Sequence, residues 1–431
     1  MSDAAEADPP GSSGSSSEPD VLVVGGGVAG LWCAYFLRAA GLSVTVLDQA
    51  PIGDPAACSS GNTGFLGAGG VPLAGPGALR AGLRSLRHPD DRLALPPTLD
   101  TGRLRWLRQF SRAGAPEQVR RSAGGMLALK RRSWQLMAEL PVTGFTAGGM
   151  LHAYRTQAGF DRACQGVEQL VASGVPIRVL AAGELAELEP DVEFAIAGAL
   201  YNPDAGFFDA PAFSLDLART LAGQGVEIRP RAAVTGVRVI AGRVSEVHAG
   251  GESIRPAELV LAAGSWTSGL GGRLGLNLPV QPVKGYAITA KVAAAVPRHQ
   301  VLLSEGTVAV RPLDGGVRFA GDLALAGLDS SVDRRRVQRM LAAVRAYLPG
   351  LQVGEPDDIW VGFRPCTPDS LPLLGRVPGL ENVTVAAGHG HNGMSLAPAA
   401  GEFVAQLLTD QDVAMDASLF AVDRFSPRRS R

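Results

Sequence analysis

A chain of 431 residues and 44.6 kDa exceeds what one compact core usually serves, which favours two domains or one large α/β unit and excludes a short peptide binder. With 46% hydrophobic and 19% charged residues it holds the apolar material for a core, so a disordered chain is excluded as well. Forty basic residues against forty-one acidic ones leave a formal charge of -1, which gives no general pull toward nucleic acid or anionic lipid, and no nucleic-acid partner is expected.

Residues 1–19 are rich in Ser, Gly and Pro and lack the basic and apolar regions of a secretory signal, so they read as a disordered leader. Val21 to Val24 is a short apolar run of the kind buried on both faces of a parallel sheet. A glycine turn follows, then a helix-compatible stretch from Val28 to Ala40 with Gly41 as its stop, then a second strand from Ser43 to Leu47. This is one βαβ unit. From Arg80 to about Leu140 the spacing of Leu104, Leu107 and Phe110, of Met126 and Leu129, and of Trp134 and Met137 predicts helices. Val226 to Leu261 returns to strands with Ala241-Gly242 as a hairpin turn, and a second strand-rich block spans Val280 to Gly321. A polar helix over about Asp333 to Leu348 stops at Pro349-Gly350. The strand NVTVAAG, a Gly/His loop and a helix from about Pro398 to Leu408 complete the order.

Cys33, Cys58, Cys164 and Cys366 stand singly with no CxxC pair, a pattern that suits neither a disulfide scaffold nor a zinc module and points to a reducing, cytoplasmic setting. The uncharged stretch from Asn382 to Gly401 is broken by Gly, Pro, Asn and His. No transmembrane segment is expected, while peripheral contact with the inner face of a membrane stays open.

The strongest local signal is Gly25-Gly26-Gly27-Val28-Ala29-Gly30, a GxGxxG between a buried strand and a helix. Gly25 permits the tight turn, Gly27 lets backbone approach a pyrophosphate, and Gly30 allows close helix packing. Amides at the helix start favour the phosphate charge. Asp48 lies eighteen residues beyond Gly30 at the end of the second strand, where a carboxylate can accept hydrogen bonds from an adenosine ribose. An acid there favours NAD or FAD over NADP.

Five further segments, taken in order, resemble the D-amino acid dehydrogenase and glycine oxidase family. They are Cys58 to Gly67 with VPLAGPG at Val71 to Gly77, ELVLAAGSW at Glu258 to Trp266, PVKGYAIT at Pro282 to Thr289, VGFRPCTPDSLPLLG at Val361 to Gly375, and AAGHGHNGMSLAP at Ala386 to Pro398. The resemblance runs from about Asp20 to Leu408. It implies a flavoenzyme that oxidises the Cα–N bond of a D-amino acid or small amine acid by hydride transfer, giving a 2-oxo acid and ammonia. The electron acceptor, oxygen or a quinone, stays open.

By this resemblance Arg364 grips the substrate carboxylate, a task for which a guanidinium fork is suited; its alternative is an interdomain salt bridge. Tyr286 supplies a second hydrogen bond or a wall to that pocket, or is a packed tyrosine. His391 stands where the glycine oxidase branch carries an arginine. Ser59, Ser60, Asn62 and Thr63 offer polar groups to phosphate or flavin oxygens, alongside Val234, Gly264 and Gly388 as further cofactor contacts. His389, Asn392, Gly393, Met394 and Ser395 border the flavin ring. The His389/His391 spacing, without a third ligand nearby, does not suit a metal. Some relatives attach FAD through a cysteine before the Thr-Pro-Asp triplet; that position is Gly362 here, so non-covalent FAD is expected.

The expected architecture is α/β, a Rossmann-like FAD-binding domain with a second mixed-sheet α+β substrate domain. The first takes residues 20–79, 206–279 and 355–410, the second 80–205 and 280–354, and 411–431 form a tail. Two rivals differ in class: a non-catalytic flavin-fold assembly protein, which has no need of Arg364 in an open pocket, and an NAD-linked dehydrogenase, which leaves GHGHNGMSLAP without a role.

Overall fold

The structure, a computed structural model, describes residues 18–67, 93–94, 101–140 and 144–426. VPLAGPG at Val71 to Gly77 and the start of the expected helical stretch at Arg80 lie outside the described residues. The elements that build the site are, in chain order, β1 (Val21–Val24), α1 (Val28–Ala39), β2 (Val44–Leu47), α2 (Pro116–Glu139), β3 (Gln281–Lys291), β4 (Gly316–Ala324), α3 (Arg334–Tyr347), β5 (Asp358–Cys366) and α4 (Gly393–Leu408).

Every residue of β1 and β2 is buried, as continuous apolar runs require in a sheet covered on both faces. The two strands pair in parallel across the α1 crossover. They form the middle of a six-stranded sheet that runs Glu227–Arg229, β2, β1, Glu258–Leu261, Val383–Ala387 and Leu373–Arg376, the last strand antiparallel. Leu31 and Trp32 of α1, Met126 and Leu129 of α2, and Phe403 of α4 share one core against this sheet. At Gly401 the helices meet backbone to backbone, because an added Cβ would stand 2.6 Å from the Trp32 carbonyl carbon. Only glycine fits that crossing.

The second sheet has nine strands. Its path runs β5, β3, β4, Val308–Leu313, Gln300–Leu303, Met150–Tyr154, Gly198–Asn202 and Arg178–Ala181, with Leu93–Ala94 beside β4. Val337, Met340, Leu341 and Val344 of α3 cover one face against Ile288, Val310 and Phe319. The opposite face looks into a cavity, and strand alternation decides which residues reach it. Leu151 and Ala153 lie under α3, whereas Met150, His152 and Tyr154 face the cavity.

The structure places β5 and α2 elsewhere than expected and starts the last helix earlier. β5 was expected in the dinucleotide half, from residue 355, but it pairs with β3 without a break from Gln281↔Cys366 to Thr289↔Asp358 and so belongs to the large sheet. α2 was expected in the substrate half, but its apolar stripe packs on α4 and on the strand Phe65–Gly67 in the first core. The last helix begins at Gly393 and carries Pro398 inside it. The chain from residue 411 to 426 is docked: Phe420 is buried in the first core, and Arg424 makes a two-pronged ion pair to Asp369 at 2.8 Å.

Candidate active site

A cavity of about 1120 Å³ lies between the strand ends of the first sheet and the open face of the second. One end is built from the glycine turn. Gly25 has a φ of +117°, and a Cβ on it would overlap the Ala262 carbonyl; a Cβ on Gly30 would overlap the Gly25 carbonyl. Gly27 differs, for its nearest neighbour would be Ser59 Oγ at 3.5 Å, so the space beside it belongs to the cavity. Ser59 Oγ accepts the Val28 amide at 3.2 Å, and Ala29 adjoins them on the wall. Asp48 accepts the Gly26 amide at 2.6 Å and the Ala50 amide at 2.9 Å, while burial raises its carboxyl above the usual range. Each oxygen keeps lone pairs for a ribose.

Beyond this end, Asn62, Thr63, Val234, Gly264, His389, Asn392 and Gly393 also line the cavity. His389 is 4% exposed, and burial pushes its imidazole down to about 4, so the ring is neutral. Its Nε2 has no hydrogen-bond partner among the described residues, an orphaned atom at the wall that a polar cofactor edge would satisfy. Glycines opening onto the space, a carboxylate at the strand end and this orphaned nitrogen fit a bound dinucleotide.

Five expected contacts lie off the wall. Gly30 packs helix on turn, as its motif role requires. Ser60 is buried behind the loop that Ser59 presents. Gly388, at a φ of +83°, turns against the Thr367 methyl. Met394 enters the first core, and Ser395 Oγ donates to the Phe65 carbonyl at 2.6 Å, because the helix starts at Gly393 and directs both side chains inward.

Another part of the wall is cationic. Arg364 of β5 faces the cavity, and its Nη1 and Nη2 donate to the carbonyls of Asp322 at 2.7 Å and Gly321 at 3.3 Å. Its guanidinium lies over Gly285 of β3, where any Cβ would overlap it. His391 is exposed on the cavity wall; the surrounding protein first, then the charges of Lys130 and Arg364, push it down to about 3. Lys130, from the middle of α2, is 1% exposed and borders the same cavity, its ammonium pulled down to about 8 by burial. Burial, then Lys130, likewise holds His152 near 4.

Tyr286 borders the cavity but turns the other way. Val283 pairs with Arg364 in register, so alternation places Tyr286 on the α3 face, where its ring is 1% exposed and its hydroxyl accepts the Asp333 amide at 3.3 Å. Of the two expected readings, the packed tyrosine is the one present.

Lys130, Asp322 and Trp360 complete the site without a local sequence signal. The Trp360 ring covers Gly362 and Gly61, so that a Cβ on either would overlap it, and its Nε1 donates to the Pro55 carbonyl. The ring thereby ties the Pro55 to Gly61 loop to the large sheet.

Comparison with known proteins agrees with this geometry. The model of a family described as DAO, FAD dependent oxidoreductase, matches residues 20–407. Among solved structures the chain is similar to glycine oxidase from Geobacillus kaustophilus, at 24% identity and a TM-score of 0.74 over 96% of this chain and 100% of that one. It is similar to iminodiacetate oxidase from Chelativorans sp. BNC1, at 21% identity and 0.69 over 93% and 98%. L-amino acid deaminase from Proteus myxofaciens follows at 18% identity and 0.72 over 99% and 96%.

Proposed function

Because the chain belongs to the family of FAD-dependent oxidoreductases, we propose that it oxidises the Cα–N bond of a D-amino acid or small amine acid to an imine, which water converts to a 2-oxo acid and ammonia. The observation that carries this reading is Arg364, an oriented guanidinium on the cavity wall that the second sheet supplies. FAD, when bound, supplies the redox chemistry by accepting a hydride equivalent.

The chain's own part is positioning and electrostatics. Two of the five N–H donors of Arg364 are held by carbonyls, and the rest are left to a carboxylate. Lys130 adds a second positive charge, which lowers the proton affinity of a bound amine and favours the neutral form that oxidation needs. His391 and His152, whose proton affinity is held low, serve as polar walls rather than bases. With Gly362 beneath the Trp360 ring, no cysteine stands at the covalent position, and FAD is held non-covalently.

The test is anaerobic mixing of the yellow protein with D-amino acids, glycine, sarcosine and D-proline, followed by reoxidation with oxygen or a dye. Bleaching of the flavin absorbance by at least one amino acid is expected. A flavin that none of them bleaches would favour the assembly-protein reading.

No helix among the described residues is long and apolar enough to cross a membrane. For peripheral contact with an anionic membrane, a specific surface offers support: the helix Thr101–Ala113 exposes Arg105, Arg108 and Arg112 beside Leu104, which is 50% exposed. The loop through Gly327 lies against Arg103 and adds Leu328, 47% exposed. Basic and apolar groups together suit a lipid interface. The protein should sediment with vesicles containing phosphatidylserine and be released by salt. Equal recovery with and without anionic vesicles would remove this contact.

A further inference from the structure

Between β3 and β4 the ladder slips. Lys284 pairs with Ala324 and Tyr286 with Gly321, so Gly285 alone faces both Asp322 and Leu323. Inside this bulge Asp322 adopts a φ of +64°, a left-handed conformation that a non-glycine residue keeps only when its surroundings hold it. The holding is ionic. The Asp322 side chain, 3% exposed, accepts through its carboxylate from Arg336 Nη1 at 2.9 and 2.7 Å and from Arg339 Nη2 at 2.7 Å, both on α3. The same bulge aims two main-chain carbonyls at Arg364. An oxygen that would otherwise enter the sheet ladder instead fixes a guanidinium.

We propose that Asp322 is a positioning residue for carboxylate recognition: pinned by Arg336 and Arg339, it keeps the Gly321 and Asp322 carbonyls where they orient Arg364. The inference rests on the reading of Arg364 as the carboxylate anchor. A carboxylate behind the sheet thus sets the geometry of a cation in front of it, through the backbone and without touching substrate. Gly285 is the complementary element, since its missing side chain leaves the guanidinium room to reach both carbonyls.

The test uses the flavin-loaded protein and acetate as a minimal carboxylate, with its Kd read from the perturbation of flavin absorbance and with KM and kcat for an accepted amino acid. Asp322→Ala should weaken acetate and raise KM by roughly tenfold with flavin content unchanged, the scale of one misplaced charge-assisted contact. Asp322→Asn, which tolerates the left-handed backbone and keeps an acceptor for the arginines, should recover part of the loss. Arg339→Met, on a half-exposed position, should move Kd and KM in the same direction by less, and it carries the test should Asp322→Ala not fold.

Because Asp322 acts through Arg364, Asp322→Asn placed on Arg364→Ala should change acetate binding by less than about twofold. Full additivity in that double variant would overturn the proposal. So would an unchanged acetate Kd in both Asp322→Asn and Arg339→Met while Arg364→Ala weakens binding. If Arg364→Ala itself leaves acetate binding intact, the anchor reading fails together with the inference, and the two failures are told apart by that single variant.

Discussion

Arg364→Ala should raise KM for amino acids by roughly thirty-fold to several-thousand-fold, the equivalent of about 2–5 kcal/mol lost when a buried charge-assisted partner is removed. Flavin content should stay near that of the parent, because the bonds of Arg364 go to Gly321 and Asp322 and not to the glycine turn or Asp48. kcat should fall too, since a substrate without its anchor no longer presents Cα–H in the productive direction. The change also strips the Gly321 and Asp322 carbonyls of a donor, so a stability loss of about 1 kcal/mol is expected alongside. Arg364→Lys should recover only part of the affinity, for a point charge cannot hold two carbonyls and a carboxylate at once. Steady-state kinetics with flavin absorbance on the same samples checks all of these. Normal turnover of amino acids by Arg364→Ala would place the carboxylate anchor elsewhere.

What the sequence could show follows from the range over which each signal acts. The βαβ unit from Val21 to Leu47 is local, since its strand texture, glycine spacing and terminal acid all fall within one continuous stretch. Arg364 was reached through resemblance, and its strand context was legible, but the sheet that receives the strand was not: only pairing with residues about eighty positions earlier assigns β5 to the large sheet. The choice between the two readings of Tyr286 is hidden for a related reason. Alternation along a strand is visible in the sequence, whereas which of the two faces meets the cavity depends on where α3 packs. Lys130 sits in an Arg-rich helix where a cation reads as solvated surface, and tertiary packing alone buries it. Asp322 gave no sign either, because a bulge needs both strands to be seen.

Gly27→Val separates cofactor binding from folding more sharply than any other change in the glycine turn. At Gly25 and Gly30 a side chain would strike main-chain carbonyls, so those substitutions should damage the fold itself. Gly27 has a φ of −72° and a ψ of 176°, an extended conformation that valine adopts readily, and its Cβ would meet only Ser59 Oγ at an ordinary 3.5 Å. The added methyls therefore project into the space where backbone must approach a pyrophosphate. The expected outcome is a protein that folds, melts near the temperature of the parent apoprotein, and retains about a tenth or less of the parent's FAD, the result of losing some 1.4 kcal/mol or more of cofactor affinity. In the parent, denaturation followed by filtration should carry the yellow colour into the filtrate as free FAD. Colour remaining with the denatured chain would refute the non-covalent attachment. Unchanged flavin content in Gly27→Val would show that the phosphates do not pass over this turn, because the protein alone offers no obstacle to the substitution.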